Sequence, residues 1–122
     1  SYGAFMWIRN PKENHGNIFN DCTFKALGKD AVIGRLPDNK GRNYPDAECV
    51  LLNCTLEGVP SEGFGPVAES ASTATLLEFN SHDKEGNAID VSQRNRYVRQ
   101  LDAIKDATLI GKYADASWVL NW

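Results

Sequence analysis

Two segments of the chain repeat one another. Residues 16–24, GNIFNDCTF, align with residues 48–56, ECVLLNCTL, at an offset of 32 residues, with a shared Cys-Thr pair and apolar residues on both sides. Asp21 of the first segment aligns with Asn53 of the second. Repeats of this size built from short strands and turns are typical of solenoids. The repeat therefore predicts a parallel β-helix, with an ordinary antiparallel sandwich as the alternative.

The repeat also predicts which side chains share a face. Because a parallel β-helix stacks like residues on like, we expect Cys22 and Cys54 to lie above one another in an interior ladder. A free cysteine in an apolar strand usually behaves as a small core residue, and a disulfide is the alternative. Since side chains alternate along a strand, two sets are expected on matching sides: Ile18, Asn20, Cys22 and Phe24, and Val50, Leu52, Cys54 and Leu56.

Strand signals dominate most of the chain, and a helix is predicted near its end. Five apolar segments separated by polar turns are predicted as strands, at residues 4–9, 17–24, 31–35, 48–56 and 73–79. Residues 102–114 carry alanine and isoleucine near helical spacing, with Asp102 as the expected N-cap. This short helix, followed by the tail SWVLNW, is expected to close one end of the solenoid.

Size and charge exclude several classes of protein. With 122 residues the chain is one domain or a piece of a larger one. Its net charge is -3 and no run of basic residues occurs, which argues against nucleic-acid binding. No apolar stretch approaches the roughly 20 residues of a membrane span. Residues 1–4 lead directly into a strand-like segment, so we expect no signal peptide here.

Polar side chains offer few candidates for chemistry. The three cysteines and two histidines lack the spacing of a zinc site, and no metal is expected. Asp83, Glu85 and Asp90 lack EF-hand spacing and are predicted to lie in a solvated loop. Arg35 differs because it ends an apolar strand, where its planar fork can hold a carboxylate ionised or bind an acidic substrate. The alternative is a surface ion pair or an arginine whose stem covers apolar surface.

Five stretches of the sequence occur together in a known order. They are IFNDCTF, VIGR, ECVLLNCTLEGVPSEGFGPV, LLEFNS and WVLNW. They resemble, in order, the F-x-N-C-x-F, Leu-Gly-Arg-Pro-Trp, V-F-x-N-C-x-L…P-x-G-W, x-E-Y-N and closing Trp motifs of the C-terminal part of pectin methylesterases. NPKENHGNIF and DVSQRNRYVRQL are similar to the bacterial branch of that family. The resemblance covers nearly the whole chain.

The resemblance implies a fold and an activity. The fold is a right-handed parallel β-helix with a short C-terminal helix and tail, of which residues 1–122 form a single C-terminal segment. The activity is a metal-free, cofactor-free hydrolysis of the methyl esters of polygalacturonate by a secreted, periplasmic or cell-surface protein. In the family one aspartate attacks the ester carbonyl, and a second acts as general acid and then base. A glutamine stabilises the oxyanion, and an arginine keeps the nucleophilic carboxylate ionised.

The resemblance also implies site residues in this chain. Arg35 in VIGR corresponds to the family arginine, and Phe64 in PSEGF to the aromatic that stacks on a sugar face. Pro37 stands where the family has a tryptophan, and Tyr44 in the following turn is the expected substitute. Arg42 is the alternative candidate for the family arginine. We favour Arg35, because Arg35 alone follows an apolar strand. Arg42 and Tyr44 are expected to reach the substrate groove.

The chain departs from the family in what it lacks. The segments that carry both catalytic aspartates precede the matched part of the family, and neither occurs here. We therefore expect this chain to supply only the arginine side of the site. The open edge of the first strand is expected to pair with the N-terminal half of the domain or with a second chain. Polygalacturonate is the expected partner, with neither nucleic acid nor a membrane.

Two alternative functions stay open from the sequence. One is a non-catalytic β-solenoid module that binds acidic polysaccharide through Arg35, Lys40, Arg42 and aromatic residues. The other is a fragment of a pectate lyase, which would need calcium held by clustered carboxylates near the arginine.

Overall fold

Parallel strands make up most of the part of the chain that the structure describes. The computed structural model describes residues 3–7, 17–26, 31–35, 48–65 and 74–115. The strands in these ranges are β1 (Gly3–Trp7), β2 (Asn17–Asn20), β3 (Thr23–Lys25), β4 (Ala31–Arg35), β5 (Glu48–Leu52), β6 (Thr55–Glu57), β7 (Thr75–Phe79) and β8 (Val98–Gln100), and the helix is α1 (Ala107–Ala114). Every pairing between these strands is parallel.

The strands of the first repeat stack on those of the second. β1, β2 and β3 pair with β4, β5 and β6 respectively, so the two sets follow the same order. Asn17 stands opposite Cys49 and Thr23 opposite Thr55, which is the predicted offset of 32 residues. β7 and β8 extend the second sheet in the order β2-β5-β7-β8. The predicted parallel, all-β architecture is therefore confirmed for the described residues, and the antiparallel sandwich is wrong.

Residues with a left-handed backbone conformation follow three of the stacked strands. Asp21, Asn53 and Asn80 follow β2, β5 and β7 with φ of 59°, 56° and 57°. Asparagine and aspartate tolerate this conformation better than other non-glycine residues. The Nδ2 of Asn80 donates to Oδ1 of Asn53 at 2.9 Å, and the Nδ2 of Asn53 donates to Oδ1 of Asn20 at 3.4 Å. A ladder of side-chain hydrogen bonds therefore joins the ends of β2, β5 and β7.

These turns break the side-chain alternation that the sequence predicts. The first core cluster consists of Phe24, Ile33, Cys49, Leu51, Cys54, Leu56, Phe64 and Leu76. The second core cluster consists of Val50, Leu52, Leu77, Leu101 and Tyr113, with Ile18 packed against it. The predicted sets are therefore wrong, since Val50 and Leu52 are separated from Cys54 and Leu56. The left-handed Asn53 shifts the alternation by one residue between β5 and β6, and Asp21 does the same between β2 and β3.

The cysteines stack as predicted. Thr55 N–H donates to the carbonyl of Cys22 at 2.8 Å, which brings Cys22 beside Cys54 of the second repeat. Cys54 is buried in the first core cluster, and Cys22 is half-buried and packs against it. Both thiols are free, so no disulfide joins them.

The helix is shorter than predicted. α1 begins at Ala107, and residues 103–106 form turns. Asp102 is not the N-cap, because its Oδ1 accepts from the backbone N–H groups of Ile104 and Lys105, at 2.8 and 2.9 Å, in the preceding turn. Tyr113 packs α1 against the second core cluster. Among the residues described, no helix combines the length and the apolar character that a membrane span needs.

Candidate functional site

The strand that ends at Arg35 has two backbone partners. β1 pairs with it in parallel, with Met6 opposite Gly34 and Trp7 opposite Arg35. The second partner is the segment of residues 60–65, here called the 60–65 loop. Ile33 N–H donates to the carbonyl of Gly63 at 2.7 Å, and Gly65 N–H donates to the carbonyl of Gly34 at 2.9 Å. The backbone immediately before Arg35 is therefore fixed by two segments.

The 60–65 loop is anchored in the core by Phe64. The Phe64 side chain is fully buried in the first core cluster. It lies between Gly63 and Gly65, whose φ values of 72° and 150° favour glycine. A ring without an exposed face cannot stack on a sugar, so the structure gives Phe64 a packing role and does not support the predicted sugar contact.

A buried ion pair lies beside this loop. Glu78 stands in β7 between Leu51 of β5 and Gln100 of β8, and it is fully buried. The Nε of Arg94 donates to its Oε1 at 2.9 Å, and Nη2 donates to its Oε2 at 3.1 Å. Gln100 and Ser81 donate to the same carboxylate at 2.6 and 2.5 Å. The charge therefore has a forked arginine and two neutral donors around it, as buried charges require.

This environment keeps the Glu78 carboxyl ionised. Burial raises its pKa, but the hydrogen bonds and positive charge of Arg94, together with hydrogen bonds from Ser81 and Gln100, outweigh burial. The pKa of Glu78 therefore lies below its usual value.

Acid is expected to remove the stabilisation that Glu78 provides. The pKa of Glu78 is lower in the folded protein than the value of about 4.3 in an unfolded chain. Its contribution is therefore complete above about pH 4.3 and is lost as pH falls through the folded value. Glu78→Gln should show a smaller fall in the urea midpoint between about pH 6 and pH 3 than the parent protein. Glu85→Gln, at an exposed position, should retain the full fall. Equal falls in the parent protein and in Glu78→Gln would contradict the expectation.

Sequence reasoning missed this pair, although one signal pointed to it. Glu78 is a charged residue within the apolar strand TLLEF. Glutamate is rarely buried unless it is paired, so a charge in such a strand indicates a buried partner. Nothing in the spacing identifies Arg94 or Gln100 as that partner, since they lie 16 and 22 residues away.

Two predicted site residues lie outside the described residues. Arg42 and Tyr44 fall in residues 36–47, as do Lys40 and Pro37. Arg35 is described as the last residue of β4, as the sequence predicts. Its role, and the choice between it and Arg42, stay predictions.

Two further polar groups lie elsewhere. His82 Nδ1 lies 3.2 Å from the carbonyl of Asn80, to which it donates, and Nε2 lies within hydrogen-bond distance of the Thr55 hydroxyl at 3.0 Å. Asp83 accepts from the backbone N–H groups of Glu85 and Asn87, both at 2.9 Å, which forms the predicted polar loop. Within the described ranges, no group of three or more His, Cys, Asp or Glu side chains is arranged to hold a metal ion.

An open groove lies between the second sheet and α1. Its volume is about 340 Å³, and β7, β8 and the helix contribute to its walls. Arg99 at this groove forms an ion pair with Asp106. Tyr113, also in its wall, donates to the buried Glu48 carboxylate. Burial raises the pKa of the Tyr113 hydroxyl, and the bond to Glu48 raises it further.

Comparison with known proteins identifies no relative of this chain. No family model, no curated protein and no solved structure matches it. Function is therefore inferred from the residues and from their placement.

Proposed function

We propose that this chain is the C-terminal part of a right-handed parallel β-helix of the pectin methylesterase type. Support for the fold comes from three successive strands, β1 to β3, that pair in the same order with β4 to β6. A chain that returns to the same sheets in the same order winds as a solenoid. Crossover connections between parallel strands of one sheet are right-handed in nearly all proteins, which supports the right hand.

The proposed activity is hydrolysis of the methyl esters of polygalacturonate, with Arg35 on the arginine side of the site. The observation that carries it is the position of Arg35 at the end of β4, in a VIGR motif whose backbone is bonded to both β1 and the 60–65 loop. The guanidinium of an arginine can offer a forked donor to a carboxylate. The favourable charge lowers the pKa of that carboxylate, which keeps it ionised and nucleophilic.

The reaction that the resemblance implies divides into two steps. The ionised aspartate attacks the ester carbonyl and forms an acyl-enzyme. The leaving methoxy group takes a proton from the second aspartate and departs as methanol. Water then gives a proton back to the second aspartate and hydrolyses the acyl-enzyme, which frees the galacturonate carboxylate and the nucleophile. Both aspartates belong to segments outside this sequence, supplied by an N-terminal half of the domain or a second chain, at a secreted, periplasmic or cell-surface location.

Arginine substitutions in the protein that carries this chain test the proposal. Arg35→Ala is expected to lower methanol release from methylated pectin by about 10²-fold or more, since oriented charge at such sites has effects of this size. Arg35→Lys should recover little, because lysine lacks the fork. Arg96→Ala removes the same charge from a residue stacked on Tyr97, 4.9 Å from the ring centroid, and should leave methanol release unchanged.

The outcomes separate the alternatives. Unchanged methanol release in Arg35→Ala with a loss in Arg42→Ala would transfer the role to Arg42. Unchanged release in both variants would overturn the proposal. Binding of polygalacturonate without methanol release by the parent protein would favour a non-catalytic binding module. Bond cleavage that stops when a chelator removes calcium would favour a pectate lyase.

A further inference from the structure

The Glu78–Arg94 pair is connected to the strand that ends at Arg35. We infer that Glu78 and Arg94 are positioning residues for Arg35, acting through the 60–65 loop. The catalytic part of this inference rests on the proposed function. The mechanical part, in which the ion pair fixes the loop against β4, rests only on the contacts described below.

The first link joins Arg94 to the loop. While two of its nitrogens bond Glu78, the third, Nη1, donates to the carbonyl of Ser61 at 3.0 Å. The neighbouring Asn95 N–H donates to the carbonyl of Glu62 at 2.9 Å. A Cβ at Gly63 would lie 2.6 Å from Cδ of Arg94, so the loop backbone rests directly on the arginine stem. One guanidinium therefore ties the carboxylate to the loop backbone.

The second link joins the loop to β4. Gly63, which rests on Arg94, accepts from Ile33 N–H at 2.7 Å. Gly65 N–H then donates to the carbonyl of Gly34 at 2.9 Å. These two bonds bracket the residues that precede Arg35. A displacement of Arg94 is therefore transmitted to the backbone of Ile33 and Gly34, which precedes Arg35.

The Glu78–Arg94 pair, from which these contacts start, is shielded from water. Glu78 is fully buried, and the Arg94 side chain is only 5% exposed, so water does not screen the pair. Gln100 and Ser81 hold the carboxylate from the two remaining directions. Lysine at position 94 keeps the charge but cannot bond two carboxylate oxygens and a carbonyl in one plane. The planar fork is therefore the feature that fixes the loop.

Amide hydrogen exchange measures the mechanical link in Arg94→Lys. We expect the Ile33 and Gly65 amides, which join loop and strand, to exchange about tenfold faster than in the parent protein. The Asp21 and Asn53 amides, bonded within the stacked turns at 2.8 and 2.9 Å, should change less than about twofold. Gly63→Ala, which forces the Arg94 stem aside, should give the same pattern. Arg96→Lys is the matched control and should alter none of the four amides.

Kinetics on methylated pectin measure the catalytic link. Arg94→Lys should lower kcat about tenfold or more with KM within about twofold, because a misplaced positioning group affects the reacting geometry. Equal acceleration of exchange at all four amides would overturn the inference, since the pair would then contribute only to global stability. Selective exchange with unchanged kcat, while Arg35→Ala is inactive, would overturn the positioning role. Unchanged methanol release in Arg35→Ala would overturn the positioning of Arg35 as a catalytic group, and unchanged release in both Arg35→Ala and Arg42→Ala would overturn the proposed function, whatever the exchange pattern.

Discussion

Arg94→Met is expected to lower the free energy of unfolding by about 3–5 kcal/mol at neutral pH. The substitution leaves the Glu78 carboxylate charged in a fully buried position without its forked partner. The Ser61 carbonyl also loses its bond to Nη1. Urea unfolding of the parent protein and the variant measures the difference. The loss should shrink in acid, because protonation of Glu78 removes the uncompensated charge.

A double variant separates the lost pair from the unpaired charge. Arg94→Met combined with Glu78→Leu removes both partners, and it should recover much of the stability that Arg94→Met alone loses. Arg96→Met changes an exposed arginine by the same substitution and, because it loses the contact with Tyr97, should stay within about 1 kcal/mol of the parent protein. A double variant as unstable as Arg94→Met would show that the charge on Glu78 is not the cause.

Phe64→Ala is expected to cost about 3–5 kcal/mol of unfolding free energy. Its ring is fully buried in the first core cluster, so truncation leaves a cavity. The same ring holds the 60–65 loop against β4, and the loss of this anchor adds to the cavity. Thermal or urea unfolding measures the loss.

Phe5→Ala is the matched control for Phe64. Phe5 is 37% exposed and contacts Phe24 edge to face, with ring centroids 5.2 Å apart. Its truncation should cost about 1 kcal/mol. A loss below about 1 kcal/mol for Phe64→Ala, with weaker binding of methylated pectin, would restore the predicted sugar contact and contradict the packing role.

The two repeated segments predicted the stacking of the strands, because similar residues at matching positions of the two repeats occupy similar environments. The offset between residues 16–24 and 48–56 is the register of β2 on β5 and of β3 on β6. β4 was predicted with its observed bounds, since a short apolar run between polar turns has few other solutions. The predicted alternation of side chains fails at Asp21 and Asn53. Aspartate and asparagine permit a left-handed backbone conformation but do not require it, so residue type alone does not predict it.

Other parts of the fold depend on contacts between distant residues. β8 is three residues long, with the charged Arg99 at its centre, and pairing with β7 defines it. α1 begins at Ala107 because Asp102 and Asp106 bond the preceding turn. The residues of the candidate site also differ in how far the sequence predicts them. A strand-end arginine can be predicted from its own strand, whereas the Glu78–Arg94 pair requires the folded chain.

The strands of the second sheet stay in register although the chain segments that connect them differ in length. From Asn17 to Cys49 the step is 32 residues, from Cys49 to Leu76 it is 27, and from Leu76 to Val98 it is 22. The strands nevertheless stay parallel, and Asp21, Asn53 and Asn80 directly follow β2, β5 and β7. Segments between the layers can therefore lengthen or shorten during evolution without disturbing the sheets.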